Sequence, residues 1–223
     1  MRMERVPESG GVLMLPNHVS YVDALILSLA FERPVRFVIW EPFYKVRLLP
    51  ELLSAFGAVP IAPQRAKEGL RRVADALRAE ELVCLFPEGQ LTRHGMLNEM
   101  RRGFEMIARQ AHAPALAVYQ DGLWGSLFSF ERGRFFFKRP HKLRRPVSVW
   151  VSEPRAPAEV SVAWLDAEMR RLGSEAFLSR PIFTGTKPES WPALANGLRL
   201  AEARGPEEDE TRWVCEGGDV AGG

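Results

Sequence analysis

Short apolar runs alternate with stretches of helical period along most of this chain. Val12 to Leu15, Val35 to Ile39, Leu82 to Phe86, Leu116 to Tyr119, Arg134 to Phe137 and Val147 to Val151 are rich in branched and aromatic residues and read as strands. Ala24 to Phe31, Val46 to Phe56, Lys67 to Ala79 and Glu99 to Ala111 space their apolar residues as helices do. Strand and helix in alternation predict an α/β fold with a mostly parallel mixed sheet flanked by helices. The last two strands, separated by Lys138 to Pro146, read as a hairpin or an edge addition, and Ala163 to Phe177 as a final helix. Past about Pro181 the sequence turns to Pro, Gly, Glu and Ala without a sustained period. Residues 1–182 are therefore expected to form the folded domain, and 183–223 an extension that is disordered beyond about 205.

Composition narrows the setting. With 223 residues, 46% apolar and 26% charged, the chain can bury a core without metals or disulfides. Cys84 lies in an apolar run and Cys215 in a polar tail, which is no disulfide framework and fits a reducing, cytoplasmic compartment. Burial in such a run raises a thiol's pKa, so Cys84 is a poor nucleophile. The start, Met1 to Gly11, lacks the apolar core of a signal peptide. Ala24 to Phe31, the longest apolar stretch, falls far short of the roughly 20 residues that span a bilayer. The chain is therefore not expected to cross a membrane, although it could lie on one.

Net charge is only +2, yet Arg132, Arg134, Lys138, Arg139, Lys142, Arg144 and Arg145 crowd one stretch, interleaved with Phe135, Phe136 and Phe137. Such local basicity suits a polyanion or an anionic lipid surface.

Candidate chemistry sits where strands end. In Asn17-His18-Val19-Ser20-Tyr21-Val22-Asp23, a histidine and a carboxylate stand where an apolar strand gives way to a helix. Ser20 is placed to cap that helix. Asp23 can then accept a hydrogen bond from one imidazole nitrogen, leaving the other to take a proton from a substrate hydroxyl. The alternative is structural: Ser20-x-x-Asp23 also fits a capping pattern in which Asp23 merely favours the helix's positive end. A second strand breaks at Phe86-Pro87-Glu88-Gly89, followed by Thr92 and Arg93. The glycine would let a substrate approach the backbone, and the carboxylate could bind a polar headgroup or orient an arginine. Arg65, just before the Lys67 helix, is poorly placed for helix stability but well placed to bind a phosphate.

His18 and Asp23, Arg65, Phe86-Pro87-Glu88-Gly89 and Ala113-Pro114-Ala115-Leu116-Ala117-Val118 occur in order, at spacings that resemble the four motif blocks of the glycerolipid acyltransferase family. That family includes the lysophosphatidic acid and glycerol-3-phosphate acyltransferases. The resemblance runs from about Val12 to Tyr119. It implies the glycerol-3-phosphate acyltransferase-like fold and direct attack by an acceptor hydroxyl on an acyl-CoA or acyl-ACP thioester. His18 would then be the general base, with Asp23 orienting it. Arg65 and Arg93 would bind the acceptor's phosphate, Glu88 would fix the glycerol or an arginine, and the backbone around Gly89 would supply oxyanion donors. No metal or redox cofactor is called for.

The third block departs from the common Pro-Glu-Gly-Thr-Arg, because Gln90 and Leu91 intervene before Thr92-Arg93. With Gly95, Met96, Leu97 and Asp121-Gly122-Leu123-Trp124-Gly125-Ser126, this looks more like the branch that acylates lysophospholipids. That branch is often fused to an acyl-ACP or acyl-CoA synthetase, and an excised or truncated domain is the expectation here. A membrane-facing surface would include Leu123, Trp124, Leu127, Phe128, Phe130 and the basic stretch, unless those aromatics belong to a core hairpin.

Three rival classes remain at this level. A non-catalytic lipid- or carrier-protein-binding domain would keep the fold without turnover. A serine hydrolase would use Ser20, although no Gly-x-Ser-x-Gly elbow is present. Nucleic-acid binding through Arg132 to Arg145 is not expected, given the near-neutral net charge and the lack of a recognisable module.

Overall fold

The computed structural model describes residues 5–40, 58–62, 66–133 and 146–180. In chain order its elements are β1 (Val12–Pro16), α1 (Asp23–Ala30), β2 (Val35–Trp40), β3 (Val59–Ile61), α2 (Ala66–Arg78), β4 (Leu82–Cys84), α3 (Gly103–Ala111), β5 (Ala115–Asp121), β6 (Ser148–Val151) and α4 (Val162–Leu178). The expected helix over Val46 to Phe56, the strand over Arg134 to Phe137, Arg65 and the C-terminal extension lie outside the described residues. The described residues up to Leu178 belong to one compact unit. Among the described residues, no helix is long and apolar enough to cross a membrane.

The strands are ordered β3-β2-β4-β1-β5-β6. All pairings are parallel except β5 with β6, which adds an antiparallel edge. The mostly parallel mixed sheet is thus as the alternating pattern predicts. Central β1 pairs Met14 with Cys84 on one side and with Leu116 on the other. Every residue of β1 is buried, which is why its sequence is a continuous apolar run rather than an alternation. Leu13, Leu15, Val83, Ala115 and Ala117 face a core built with α2, α3 and α4. Val12, Met14, Leu82, Cys84, Leu116 and Val118 face the opposite core, where Leu27 of α1 and Phe31 pack. Truncating a fully buried residue such as Leu27 or Phe104 would cost about 2–5 kcal/mol.

β3 was not among the strands read from the pattern, because Pro60 interrupts it. A proline is tolerated there because β3 is an edge strand, paired with β2 alone among the described elements. The topology brings the carboxyl ends of neighbouring β1 and β4 to one rim, the usual ligand position of such sheets.

Candidate active site

Beyond Pro16 the chain leaves the sheet and turns sharply into α1. His18 lies in that turn, and its Nδ1 donates to Asp23 Oδ2 at 2.8 Å. The same oxygen accepts the backbone N–H groups of Val19 (2.7 Å) and Ser20 (3.0 Å). Asp23 is fully buried, whereas the His18 side chain remains 22% exposed. Three N–H donors compensate the buried carboxylate and fix the histidine tautomer, leaving Nε2 for a substrate. The imidazole is held from its face as well, stacked on Phe86 with ring centroids 4.0 Å apart.

The capping expectation needs correction. α1 begins at Asp23 with Val22 at its N-cap position and no side-chain cap bond. Ser20 Oγ instead accepts the N–H of Val22, at 3.4 Å, inside the turn. Ser20 is therefore not the helix cap, and its complete burial makes it a poor nucleophile. Cys84 is no better placed: burial first, and the Asp23 carboxylate second, push its thiol pKa well up.

Glu88 also has a local task different from the one expected. Its Oε1 accepts the N–H of His18 (2.8 Å) and its Oε2 the N–H of Asn98 (2.7 Å). Both oxygens therefore bind backbone, and the carboxylate bridges the His18 turn to the loop that follows β4. Burial raises its pKa, and the N–H bonds from Asn98 and His18 only partly offset that. Gly89 makes the bridge possible: its φ of +67° suits glycine, and its N–H closes the turn onto Phe86 O at 3.2 Å. That N–H is thus committed to the turn rather than presented to an oxyanion.

Two loops close over the rim. Thr92 N–H donates to His18 O at 2.9 Å, pinning the post-β4 loop to the histidine turn. The post-β5 loop is pinned at Ser20, through a bridge to Ser129, and at Tyr21, whose N–H donates to Phe128 O. The loops also meet each other. Gly95 lies flat against the indole of Trp124, where a Cβ would fall 2.6 Å from a ring carbon. The Arg93 guanidinium sits 5.3 Å from the Phe130 ring centroid, a cation–π arrangement.

His18, Asp23, Glu88 and Gly89 are thus brought together, and Arg93 reaches the same loops. Sequence reasoning missed Arg101, an exposed cation whose Cγ lies 3.7 Å from the position a Gly89 Cβ would take and whose N–H donates to Pro87 O. Nothing local signals this, because the loop must fold back first. A groove of about 640 Å³, lined by Leu97, Tyr119, Met169, Gly173 and Phe177 among others, opens beside α4. Leu97 adjoins Asn98, which holds Glu88. Of the proposed lipid-facing residues, Leu123 is buried and Phe128 exposed, and the basic stretch from 134 to 145 lies outside the described residues. Exposed Tyr21, Leu25 and Leu29 form an apolar stripe from the turn along α1, four residues apart.

A family model described as Acyltransferase matches residues 1–120. Among solved structures, the fold resembles the 1-acyl-sn-glycerophosphate (LPA) acyltransferase PlsC from Thermotoga maritima. The TM-score is 0.64 at 23% identity, over 81% of this chain and 71% of that one. At that identity the likeness is one of fold.

Proposed function

Because the chain belongs to the acyltransferase family, whose model matches residues 1–120 of its 223, we propose that it transfers a fatty acyl group from an acyl-CoA or acyl-ACP thioester to the free hydroxyl of a lysophospholipid. The observation that carries this reading is the 2.8 Å bond from His18 Nδ1 to buried Asp23, beside which Ser20 and Cys84 are both buried. A base without an enzyme nucleophile fits a reaction whose acyl donor is already activated.

In that reaction His18 Nε2 takes the proton of the acceptor hydroxyl as its oxygen attacks the thioester carbonyl. Asp23 holds the ring and stabilises the imidazolium that forms. Collapse of the tetrahedral intermediate breaks the carbon–sulfur bond, and the imidazolium returns its proton to the leaving thiolate. Arg93 and Arg101 are the described cations at the rim suited to the acceptor's phosphate; Arg65 is a further candidate. The groove beside Leu97 has a size and lining that suit an acyl chain. The reading needs no cofactor beyond the thioester, which an acyl-activating synthetase, fused or separate, would supply.

The acceptor is a lipid, so the site must meet a membrane peripherally. The α1 stripe of Tyr21, Leu25 and Leu29, with Phe128 alongside, suits this role better than Leu123. Leu25→Glu/Leu29→Glu should weaken liposome binding while leaving folding stability within about 1 kcal/mol of wild type. Binding equal to wild type would contradict that surface.

The test of the function is acyl transfer from long-chain acyl-ACP and acyl-CoA to a panel of lysophospholipids in mixed micelles. Turnover with a lysophospholipid acceptor supports the reading and identifies its donor. Binding of lipid or carrier protein without turnover, in folded protein, would replace it with a non-catalytic domain. Labelling of Ser20 by a fluorophosphonate would replace it with a serine hydrolase.

A further inference from the structure

Where β1 leaves the sheet, two buried amide side chains hold the peptide that carries His18. Asn17 N–H makes the last main-chain bond of the ladder, to Val118 O at 3.2 Å. The Asn17 side chain then acts as the next peptide unit would. Its Oδ1 accepts the N–H of Gln120 at 2.7 Å, and its Nδ2 donates to Gln120 O at 3.1 Å. The main chain can therefore turn away with both backbone groups of Gln120 satisfied. Gln120 answers with its own side chain, Nε2 donating to Asn17 O at 3.3 Å, the carbonyl of the peptide bond joining Asn17 to His18. Both residues are almost wholly buried.

One detail distinguishes this amide from ordinary core filling. Gln120 Oε1 is buried and has no hydrogen-bond partner among the described residues. The orphaned acceptor opposes folding and offsets what the Nε2–H bond contributes, so an apolar side chain of the same length would be nearly as stable. The feature that such a chain could not reproduce is the Nε2–H bond to the carbonyl next to His18.

We propose that Gln120 is a positioning residue, retained to hold the Asn17–His18 peptide so that the imidazole keeps its bond to Asp23. It touches no substrate and acts through His18. The inference rests on His18 being the base of the proposed reaction, but its structural half can be read without turnover.

The test is Gln120→Met in the full chain, which keeps the length of the side chain and removes its donor. kcat is expected to fall about 10- to 100-fold, the scale of a small displacement of a reacting group, with acceptor and donor KM nearly unchanged. Tm is expected to stay close to wild type, since the orphaned Gln120 Oε1 is gone while Asn17 O loses its donor. The downfield proton resonance of His18 Nδ1–H, assigned by its absence in His18→Ala, is expected to broaden or shift. Wild-type kcat together with a wild-type resonance would overturn the proposal, as would a loss of kcat matched by a clear fall in Tm, the mark of a merely structural role. If wild type proves inactive with every donor, the resonance alone decides the positioning claim while the functional reading fails separately. Gln120→Leu serves the same comparison if the methionine variant does not fold.

Discussion

Glu88 and Glu105 are both buried carboxylates that join two segments by accepting backbone N–H groups, yet their surroundings push them in opposite directions. Glu105, on α3, accepts the N–H of Val162 at the start of α4 (2.9 Å) and faces Arg102 and Arg109. The Val162 bond and those cations hold its pKa below the ordinary value. Glu88 also receives two backbone N–H bonds, but burial outweighs them and its pKa rises. The difference is where each sits. Glu105 fastens helices on a flank where exposed arginines accompany it, whereas Glu88 lies under the rim next to the imidazole of His18. Asp23 Oδ1, like Gln120 Oε1, is buried there without a hydrogen-bond partner among the described residues. Three groups that oppose stability, Glu88, Asp23 Oδ1 and Gln120 Oε1, thus lie around the His18 turn, as expected where geometry for chemistry is kept at the expense of fold stability.

The sharpest way to break the comparison is on the rim. Asp23→Asn places an amide against the N–H groups of Val19 and Ser20 and removes the charge facing the imidazole. Turnover should fall on the order of 10²–10⁴-fold. Steady-state kinetics on folded protein check this, and near-normal kcat would reduce Asp23 to a local turn-former.

A medium effect is expected from pH on the two glutamates. Glu105, with its folded pKa lowered, contributes stability above the ordinary value of 4.5, and this is lost as pH falls through the folded pKa. Glu105→Gln should thus cost about 1–3 kcal/mol near neutral pH, with the cost fading in acid and with activity little changed. Glu88 has the opposite sign. Its folded pKa is raised, so the native state gives up stability as pH rises from 4.5 through the folded value. The stability of Glu88→Gln relative to wild type should therefore improve over that range, while its kcat suffers because a donor now faces the His18 or Asn98 N–H. Denaturant unfolding across pH reads both. Parallel pH trends in the two variants would erase the distinction between flank and rim.

The fold was largely legible because parallel strands buried on both faces advertise themselves as continuous apolar runs, as Val12–Pro16 does. β6 was likewise foreseeable as an edge addition, and it pairs antiparallel with β5. β3 escaped because three residues containing a proline carry no strand signal, and only its edge position makes Pro60 acceptable. At the site, the His18–Asp23 bond was legible because the partners are five residues apart in one turn. The contacts of Glu88 with His18, across 70 positions, and of Gln120 with Asn17, across 103, leave no local periodicity to read. Ser20 misled for the opposite reason. Its local pattern fits a cap, but the carboxylate of Asp23 takes the N–H groups of the turn, and the helix starts at Asp23 itself.

The most direct measurement of the central claim is single-turnover acyl transfer by wild type and His18→Ala, with the thioester and lysophospholipid that wild type uses best. A base held by Asp23 predicts a loss on the order of 10²–10⁴-fold in the chemical step. Acyl transfer by His18→Ala at the wild-type rate would contradict it.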